Sequence, residues 1–467
     1  MRREEEMETE HVVILGGGFG GIAVAQALRR VPVQVTLVDR RNFHLFQPLL
    51  YQVATGGLSP ANIAAPLRSI FKRQKNVQVL LGEVRDIDLA ERRVLFSDGD
   101  LTYDRLVVAT GSSHHYFGND QWETHAPGLK TIEDATEIRS RVLVAFERAE
   151  KETDPASIRQ LLRFIVVGGG PTGVELAGAL AEIANDTLKH EFRSINPADA
   201  EIILLEGADR VLPSYPGKLP SKAESQLKDL GVTVRTSAMV TDMRDDRVIV
   251  RIDGNTETID TYTVLWGAGV KASPLGTLLT QKANVQSDEM GRVPVEPDLS
   301  LRGHSEVFVI GDLARFDHGR EEPLPGVAPV AIQQGKHCAK TIRNRIAGKE
   351  ARAFRYRDLG TMATIGRHRA VAVVGSWRFS GYLAWLMWLM IHLMYIVEFQ
   401  NRLLVLIQWA WNYLTWNRSA RLITNSRKAT ASISPRRANS SESESEQPRE
   451  PNSLTTETEL EVHRTGQ

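Results

Sequence analysis

Two segments of the sequence, about 150 residues apart, repeat the same order of residue types. The first begins at His11 and reads HVVILGGGFGGIAVAQALRR, and the second begins at Arg163 and reads RFIVVGGGPTGVELAGALAEI. Each is an apolar, β-branched run followed by Gly-x-Gly-x-x-Gly and then by small residues at helical spacing. The repeat predicts two strand–turn–helix units, each with a phosphate-binding helix N-terminus.

The three glycines of each unit have separate tasks. The first makes a tight turn, the second lets the backbone approach a pyrophosphate, and the third lets helix and strand pack closely. A carboxylate then follows each unit where a second parallel strand would end: Asp39 comes 18 residues after the last glycine and Glu206 comes 33 residues after it. Such an acid accepts hydrogen bonds from ribose hydroxyls. The glycines are Gly16, Gly18 and Gly21 in the first unit and Gly168, Gly170 and Gly173 in the second.

The sequence therefore predicts an α/β fold with two Rossmann-like dinucleotide-binding domains. Segments such as RRVLFSDGDLTYDRLVVATG and VTDMRDDRVIVRIDG alternate in polarity around Asp-Gly turns, which predicts small antiparallel meanders. Each half closes on a strand that runs into glycine, at residues 105–111 and 263–269. Residues 305–314 return to strand character, and Gly311 and Asp312 stand at the end of the predicted strand. We expect this segment to rejoin the first domain.

Two dinucleotide sites in one chain suit a bound flavin and a nicotinamide that gives it a hydride. Glu206 favours NADH, because a carboxylate repels the extra phosphate of NADPH, although nearby Arg210 keeps NADPH open. Glu175 in the second helix either faces the nicotinamide or complements the helix dipole. The predicted domains are a flexible N-terminus (1–10), an FAD-binding domain in two parts (11–125 and 296–378), an NADH-binding domain (126–295), membrane-anchoring helices (379–424) and a disordered tail (425–467).

Composition removes several classes of function. The 57 basic and 57 acidic side chains balance, so no global field favours nucleic acid. Cys338 is the sole cysteine, which excludes an internal disulfide and the dithiol chemistry of disulfide reductases. No His or Cys spacing typical of a metal site occurs. The N-terminus MRREEEMETE lacks the apolar core of a secretory signal, which favours a protein that faces the cytosol.

The C-terminal part changes character after Gly381. The runs GYLAWLMWLMIHLMYIV and LLVLIQWAWNYLTW are each shorter than the roughly 20 residues that span a bilayer. Their Trp and Tyr content and Arg402 between them favour helices that lie in the membrane interface. A tilted spanning helix and a buried core pair remain alternatives. His392 is interpreted as a hydrogen-bonded packing residue rather than a ligand.

Several strings together resemble the type II NADH dehydrogenases, which are single-chain, non-pumping NADH:quinone oxidoreductases. The resemblance extends over about residues 10–425. The strings that carry it are HLFQPLLYQVATGGLSP, GGGFGG, GGGPTGVELAGAL, VFVIGDLA, PGVAPVAIQQG, YRDLGTMATIGRHRAV and FQNRLLVLIQWAWNYLTW. Read without the family, residues 40–70 suit equally a loop and helix over a flavin or a core helix.

The resemblance implies roles for individual residues. Asp312 would be a second flavin contact, and Glu175 would be the acidic residue near the nicotinamide. The other residues assigned to non-covalent FAD or to NADH are Gly16, Gly18, Gly21, Asp39, Gln47, Thr110, Gly111, Gly168, Gly170, Gly173, Glu206, Gly269, Gly311 and Ala328.

The quinone-side signature of this family, Ala-Gln-x-Ala-x-Gln, is altered in this sequence. It begins at Ala328, but Pro329 replaces the first glutamine, so that Gln333 must act alone or with Gln334. We expect Pro329 to set the chain direction before a helix that starts at Val330, with its N-terminus toward the flavin. A neutral amide there can donate a hydrogen bond to a quinone carbonyl without burying a charge.

The implied partners are NADH, a membrane quinone and the membrane surface, on the cytoplasmic side of the cell membrane. The sequence leaves open whether two copies form a homodimer through the C-terminal region. An alternative of another class is an NADH-sensing flavoprotein with slow turnover, for which the Ser/Glu-rich tail is the only feature in favour. Sulfide:quinone oxidoreductases share the fold but use cysteines that this chain lacks.

Overall fold

A computed structural model describes residues 9–319, 321–415 and 418–424. The strands are β1 His11–Leu15, β2 Gln34–Asp39, β3 Phe43–Leu45, β4 Ala64–Pro66, β5 Val77–Leu81, β6 Asp86–Asp88, β7 Arg93–Leu95, β8 Asp100–Thr102, β9 Arg105–Val108, β10 Ser112–His114, β11 Arg163–Val167, β12 Glu201–Leu205, β13 Val232–Arg235, β14 Ala238–Arg244, β15 Arg247–Ile252, β16 Asn255–Asp260, β17 Thr263–Trp266, β18 Val270–Ala272, β19 Val293–Pro294, β20 Ser300–Leu301, β21 His304–Val309, β22 Ala314–Arg315, β23 Thr361–Gly366, β24 Arg369–Val374 and β25 Trp377–Ser380. The helices are α1 Phe19–Ala27, α2 Leu50–Ala54, α3 Pro60–Ile63, α4 Leu67–Phe71, α5 Ile132–Ala149, α6 Pro155–Leu161, α7 Pro171–Glu182, α8 Leu219–Asp229, α9 Pro274–Lys282, α10 Ala328–Ile346, α11 Tyr382–Tyr395 and α12 Phe399–Thr415. Short 3₁₀ turns lie at Gln47–Leu49, Asp120–Thr124, Pro197–Asp199 and Gly311–Leu313, and a π-helical turn lies at Ile183–Thr187.

The first domain is built on a six-stranded sheet with the order β20-β21-β9-β1-β2-β5. All neighbours are parallel except β20 and β21. The central strand β1 is buried on both faces, which explains its continuous apolar run. Strand β21 pairs with β9 through Phe308 and Val107, so residues 304–309 lie in the sheet of the first domain.

The second domain has a four-stranded parallel sheet with the order β13-β12-β11-β17. Here β11 pairs with β12 and β17, which places the second glycine motif at the centre of its sheet, as in the first domain. Two three-stranded antiparallel sheets, β6-β7-β8 and β14-β15-β16, confirm the predicted meanders. The α/β class and the two-domain plan follow from the strand–glycine–helix repeat.

Helix α10 packs across α1 and joins the late segment to the first glycine motif. A Cβ on Gly335 would lie within 3.0 Å of the Cβ of Ala23, so glycine permits the close approach of the two helices. The predicted start of this helix at Val330 is wrong by two residues. The helix begins at Ala328 and holds Pro329 in its first turn, where a missing N–H costs no hydrogen bond.

The C-terminal segment forms its own unit of sheet and helices. Strands β23, β24 and β25 make an antiparallel sheet that packs on α7 and α8 of the second domain and on α11. Residues 361–378, which the sequence analysis grouped with the first domain, therefore pack beside the C-terminal helices. Of the predicted flexible N-terminus, only residues 9 and 10 are described, and Glu10 pairs with Arg105. The predicted disordered tail from 425 lies outside the described residues.

Candidate functional site

The first glycine turn leaves an open cradle at a helix N-terminus. Gly16 has a φ of +107°, and a Cβ there would overlap the backbone of Ala109. A Cβ on Gly21 would overlap the carbonyl oxygen of Gly16, so this glycine is required for packing. Gly18, in contrast, faces open space and precedes α1, which has neither a side-chain cap nor an acid in its first turn. The free N–H groups of this turn are suited to an anion.

Asp39 ends β2, as the spacing predicts, and holds the glycine turn. Its Oδ2 accepts from the Gly17 amide at 2.6 Å, and its Oδ1 accepts from the Arg41 amide at 2.7 Å. His44 lies on the other side of Gly17 and donates from Nδ1 to the Gly17 carbonyl at 3.0 Å. Burial lowers the pKa of His44, so the neutral ring presents Nε2 as an acceptor. Nε2 is buried and has no hydrogen-bond partner among the described residues.

The far wall of the first site comes from β9 and the segment after β21. Thr110 bonds Ser273 through their hydroxyls at 2.6 Å, and Gly111 has a φ of +69° beside open space. Asp312 accepts from the hydroxyl of Ser112 at 2.7 Å, and the ammonium of Lys130 lies 3.8 Å from its carboxylate. The structure thus gathers residues from four separate parts of the chain, at positions 110–112, 130, 273 and 312.

The residues of the first site fit FAD. An uncapped helix start beside Gly18 suits a pyrophosphate, Asp39 retains lone pairs for ribose hydroxyls, and the unpartnered His44 Nε2 is an acceptor for a further hydroxyl. Gln47 is exposed and donates to the Lys130 carbonyl at 3.1 Å, which fixes the turn before α2. Within residues 40–70, helix α2 packs into the core through Leu50, Val53 and Ala54, which are buried.

The second glycine turn repeats this geometry. Gly168 has a φ of +104°, and a Cβ on Gly173 would overlap the carbonyl oxygen of Gly168. Gly170 faces open space before α7, which starts with Pro171 and has no acid in its first turn. Glu206 follows β12 and accepts from the Gly169 amide and, at 2.7 Å, from the Ala208 amide. This site also fits a dinucleotide.

Arg210 and Gly269 lie at the edge of the second site. The guanidinium of Arg210 is exposed and donates to the Pro213 carbonyl at 3.0 Å. Gly269 has a φ of +71° and a Cβ there would lie 2.7 Å from the ring of Phe117, so a side chain would be strained at this turn.

Glu175 lines a cavity of about 70 Å³ between α2, α7, β23 and α12. Its carboxylate lies in the second turn of α7, beyond the reach of the helix dipole. The Thr364 amide lies 3.4 Å from Oε1, which is a long contact. Burial raises the pKa of Glu175 to about 8, so the group is mostly protonated at neutral pH. The cavity therefore contains a carboxyl group whose protonated form is favoured by burial.

Polar groups from distant parts of the chain complete the cavity wall. Glu182 lies seven residues after Glu175 on α7 and forms a 2.6 Å ion pair with Arg418. Arg418 also donates to the carbonyl oxygens of Thr55 and Ala179 at 3.3 and 3.4 Å. None of these residues was singled out from the sequence, although Tyr51, Gln52 and Thr55 lie in the string HLFQPLLYQVATGG that carries part of the resemblance. The remaining polar wall residues include Tyr51, Gln52, Arg367, Asn412 and Tyr413.

The two adjacent amides of α10 are directed to backbone groups. Gln333 donates to the Arg357 carbonyl at 2.9 Å and accepts from the Arg357 amide at 3.0 Å. Gln334 is buried, and its Oε1 accepts from the Gly311 amide at 2.6 Å. Gln333 thus holds the chain before β23, and Gln334 holds the turn that carries Asp312. Ala328 is the first residue of the helix.

The C-terminal helices place apolar side chains on both faces. Trp388 and Trp409 are buried against the protein, and His392 donates to the Trp388 carbonyl at 2.8 Å and stacks on that ring at 4.2 Å. His392 is thus a hydrogen-bonded packing residue, as interpreted from the sequence. On the opposite faces Met390, 71% exposed, and Leu414, 82% exposed, lie in the open. Within the described residues, no helix combines the length and the apolar content that crossing a bilayer requires.

Comparisons with known proteins agree with this arrangement. The family model described as pyridine nucleotide-disulphide oxidoreductase matches residues 10–335, and the model of the NDH2 C-terminal domain matches residues 359–416. Two type II NADH:quinone oxidoreductases of Mycobacterium tuberculosis, Ndh and NdhA, are each 46% identical over 89% of this chain and over 90% and 89% of their own. The structure of NDH2 from Plasmodium falciparum in complex with NADH covers 89% of this chain and all of its own, with a TM-score of 0.80 and 19% identity.

Proposed function

The chain belongs to the family of type II NADH:quinone oxidoreductases, and we propose that within it Glu175 supplies a proton to the quinone. The enzyme transfers electrons from NADH through FAD to a quinone and does not pump protons. When bound, FAD accepts the hydride of NADH and passes two electrons on. The polypeptide binds, orients and supplies protons around this chemistry.

The proton balance of the reaction requires a donor. A quinone becomes a hydroquinone by taking up two electrons and two protons. The hydride of NADH carries both electrons but only one proton, so a second proton must come from the medium through the protein. A group that is protonated at neutral pH and lies in a cavity can supply it.

Glu175 has the properties that this step needs. Its raised pKa, about 8, favours the protonated carboxyl group at pH 7. The cavity it lines also touches α12, whose other face carries exposed apolar side chains. The proposal is supported by this juxtaposition of a buried acid with a raised pKa and a helix whose other face is exposed and apolar. The Glu175→Gln variant, argued in the Discussion, tests it.

The two amides serve the quinone side by positioning the chain. Gln334 holds Gly311, and with it the Asp312 turn that would face a bound flavin, while Gln333 fixes the approach to β23. The uncapped start of α10, with no acid in its first turn, directs a partial positive charge at the same place. With Pro329 in place of an amide, Gln333 and Gln334 are the polar side chains left near this helix start.

The second site selects NADH through Glu206. We expect Glu206→Gln to raise the ratio of kcat/KM for NADPH to that for NADH by about tenfold, because the repulsion of the extra phosphate is lost. Steady-state assays with both coenzymes measure this ratio. Glu201→Gln is the matched control, since Glu201 lies at the other end of β12 and pairs with Arg163 on the surface. An unchanged ratio in Glu206→Gln would contradict this assignment.

The exposed faces of α11 and α12 are proposed to bind the membrane surface peripherally. Met390→Glu and Leu414→Glu should each lower the partition to liposomes by about tenfold, because each removes an apolar side chain from the lipid interface. Sedimentation with vesicles measures the bound fraction. Leu81→Glu, at a 66% exposed position on β5, is the control and should bind as the wild type does. Equal binding by all three variants would refute the assignment.

Two finer predictions stay with this proposal. Attachment at the cytoplasmic side of the cell membrane is proposed from the use of NADH. A homodimer through the C-terminal region is a further prediction, and analytical ultracentrifugation of the full chain in detergent measures it.

A further inference from the structure

We propose that Trp409 of α12 is a positioning residue that, through Gln52, fixes the direction in which the Tyr51 hydroxyl donates a hydrogen bond into the Glu175 cavity. The inference rests on the proposed function, since it concerns the surroundings of the same carboxyl group. The inference links Glu175 to the buried side of α12, whose opposite side is apolar and exposed.

The chain of hydrogen bonds has a defined direction. Trp409 donates from Nε1 to Gln52 Oε1 at 2.7 Å, and an indole N–H can only donate. The amide oxygen of Gln52 therefore faces Trp409, and its Nε2 donates to the Tyr51 hydroxyl oxygen at 2.9 Å. Because that oxygen is already an acceptor, its own hydrogen must find an acceptor elsewhere. Tyr51 and Glu175 line the same cavity.

Tyr51 acts as a donor and not as a base. It is buried, and burial first and the nearby carboxylate of Glu175 second raise its pKa well above 10, so the hydroxyl keeps its proton. A hydrogen bond from this hydroxyl to Glu175 across the cavity would favour the ionised carboxylate and would counteract the effect of burial on that group. The titratable and charged groups that line the cavity are Tyr51 of α2, Glu175 and Glu182 of α7, Arg367 after β23, Tyr413 of α12 and Arg418 beyond it.

The register of α12 is fixed independently of Trp409. Asn401 donates to the Ala64 carbonyl at 3.2 Å, and Asn412 donates to the Gly57 carbonyl at 2.9 Å. These two bonds, on either side of Trp409 along one helix face, hold α12 against the segment that contains Tyr51. Trp409 itself is buried and lies 5.8 Å, between ring centroids, from Trp388. Trp409→Phe can therefore remove the N–H while the packing is retained.

The test titrates Glu175 in the resting holoenzyme. One infrared band of the protonated carboxyl groups should be present in the wild type and absent in Glu175→Gln. This band reports the protonation of Glu175 without turnover. Trp409→Phe should raise the pH midpoint at which that band titrates by about half to one pH unit, because loss of one oriented hydrogen bond disfavours the ionised form of Glu175. The descending limb of the pH–rate profile for quinone reduction should move by the same amount.

Three further variants and a control make the result decisive. Tyr51→Phe should give the same shift, and Trp409→Phe should add nothing to it in the Tyr51→Phe background, because both act through one hydroxyl. Gln52→Leu removes the hydrogen bonds from Trp409 and to Tyr51 and should behave like Tyr51→Phe. It replaces Trp409→Phe in the test if Trp409→Phe does not fold. Trp377→Phe, at an exposed position on β25, is the control with an unchanged midpoint.

The outcomes separate this inference from the proposed function. An unshifted midpoint in Trp409→Phe, or additive shifts in the double variant, would overturn the positioning role whatever the catalytic role of Glu175. If Glu175→Gln reduces quinone at the wild-type rate while the band shifts as expected, the proton-donor role fails and the positioning of Tyr51 by Trp409 stands.

Discussion

Glu175→Gln is expected to slow steady-state NADH:quinone reduction by about 10²- to 10⁴-fold, the usual contribution of a positioned general acid. The amide has nearly the shape of the carboxyl group but has no proton to give. Stopped-flow absorbance of the bound flavin on mixing with NADH measures the earlier hydride step, which should keep its rate. Glu147→Gln, on the exposed side of α5, is the control.

The pH dependence has a definite sign. The carboxyl group donates only while protonated, so wild-type quinone reduction should be constant well below pH 8 and fall as the pH rises through about 8. Glu175→Gln should lose this limb of the profile. A limb that persists in the variant would assign the proton donor to another residue.

The pH dependence of the free energy of unfolding gives a second test of the raised pKa of Glu175. Because the folded state holds the proton of Glu175 more tightly than the unfolded chain does, the free energy of unfolding decreases as the pH rises from 4.5 to about 8. Glu175→Gln removes this loss. The variant should therefore gain stability relative to the wild type on going from pH 5 to pH 9 in denaturant titrations.

Arg418→Met is expected to lower the free energy of unfolding by about 3–5 kcal/mol, because it leaves Glu182 buried without its partner. The two side chains are only 13% and 11% exposed. The matched control is Arg421→Met, three residues further on, whose partner Glu191 is 46% exposed. That substitution should cost less than about 1 kcal/mol.

A double variant separates the ion pair from the fold of the segment. In Glu182→Gln/Arg418→Met no charge is left unpaired, so much of the lost stability should return. Urea unfolding followed by circular dichroism measures all four proteins. If Arg418→Met and Arg421→Met destabilise equally, the segment acts through packing rather than through the buried pair.

The parts that could be predicted from sequence are those in which local pattern fixes structure. The turns at Gly16 and Gly168 and the acids at Asp39 and Glu206 follow from spacing, because a strand–turn–helix unit is a local arrangement. The strand that rejoins the first sheet was predictable from its apolar run and terminal Asp312.

The Glu175 cavity could not be predicted in the same way. Its wall combines α2, α7, β23 and α12, and only tertiary packing brings Gln52 and Trp409 within 2.7 Å. The amides of α10 show the same limit: Gln333 and Gln334 are adjacent in sequence, yet one holds Arg357 and the other Gly311. The sequence predicts Pro329 before the helix, because a helix accepts proline only in its first turn and the residue at which α10 begins is not evident from the pattern.

The pairing of β21 with β9 also sets the order of events during synthesis. About 200 residues separate the two strands, and at about 5–20 residues per second the ribosome needs roughly 10 to 40 seconds to deliver β21 after β9. During that interval the edge of β9 is unpaired, and α10 has not yet covered α1. We therefore expect FAD to be captured only after α10 has been synthesised, and the edge of β9 stays open while about 200 of the 467 residues are added.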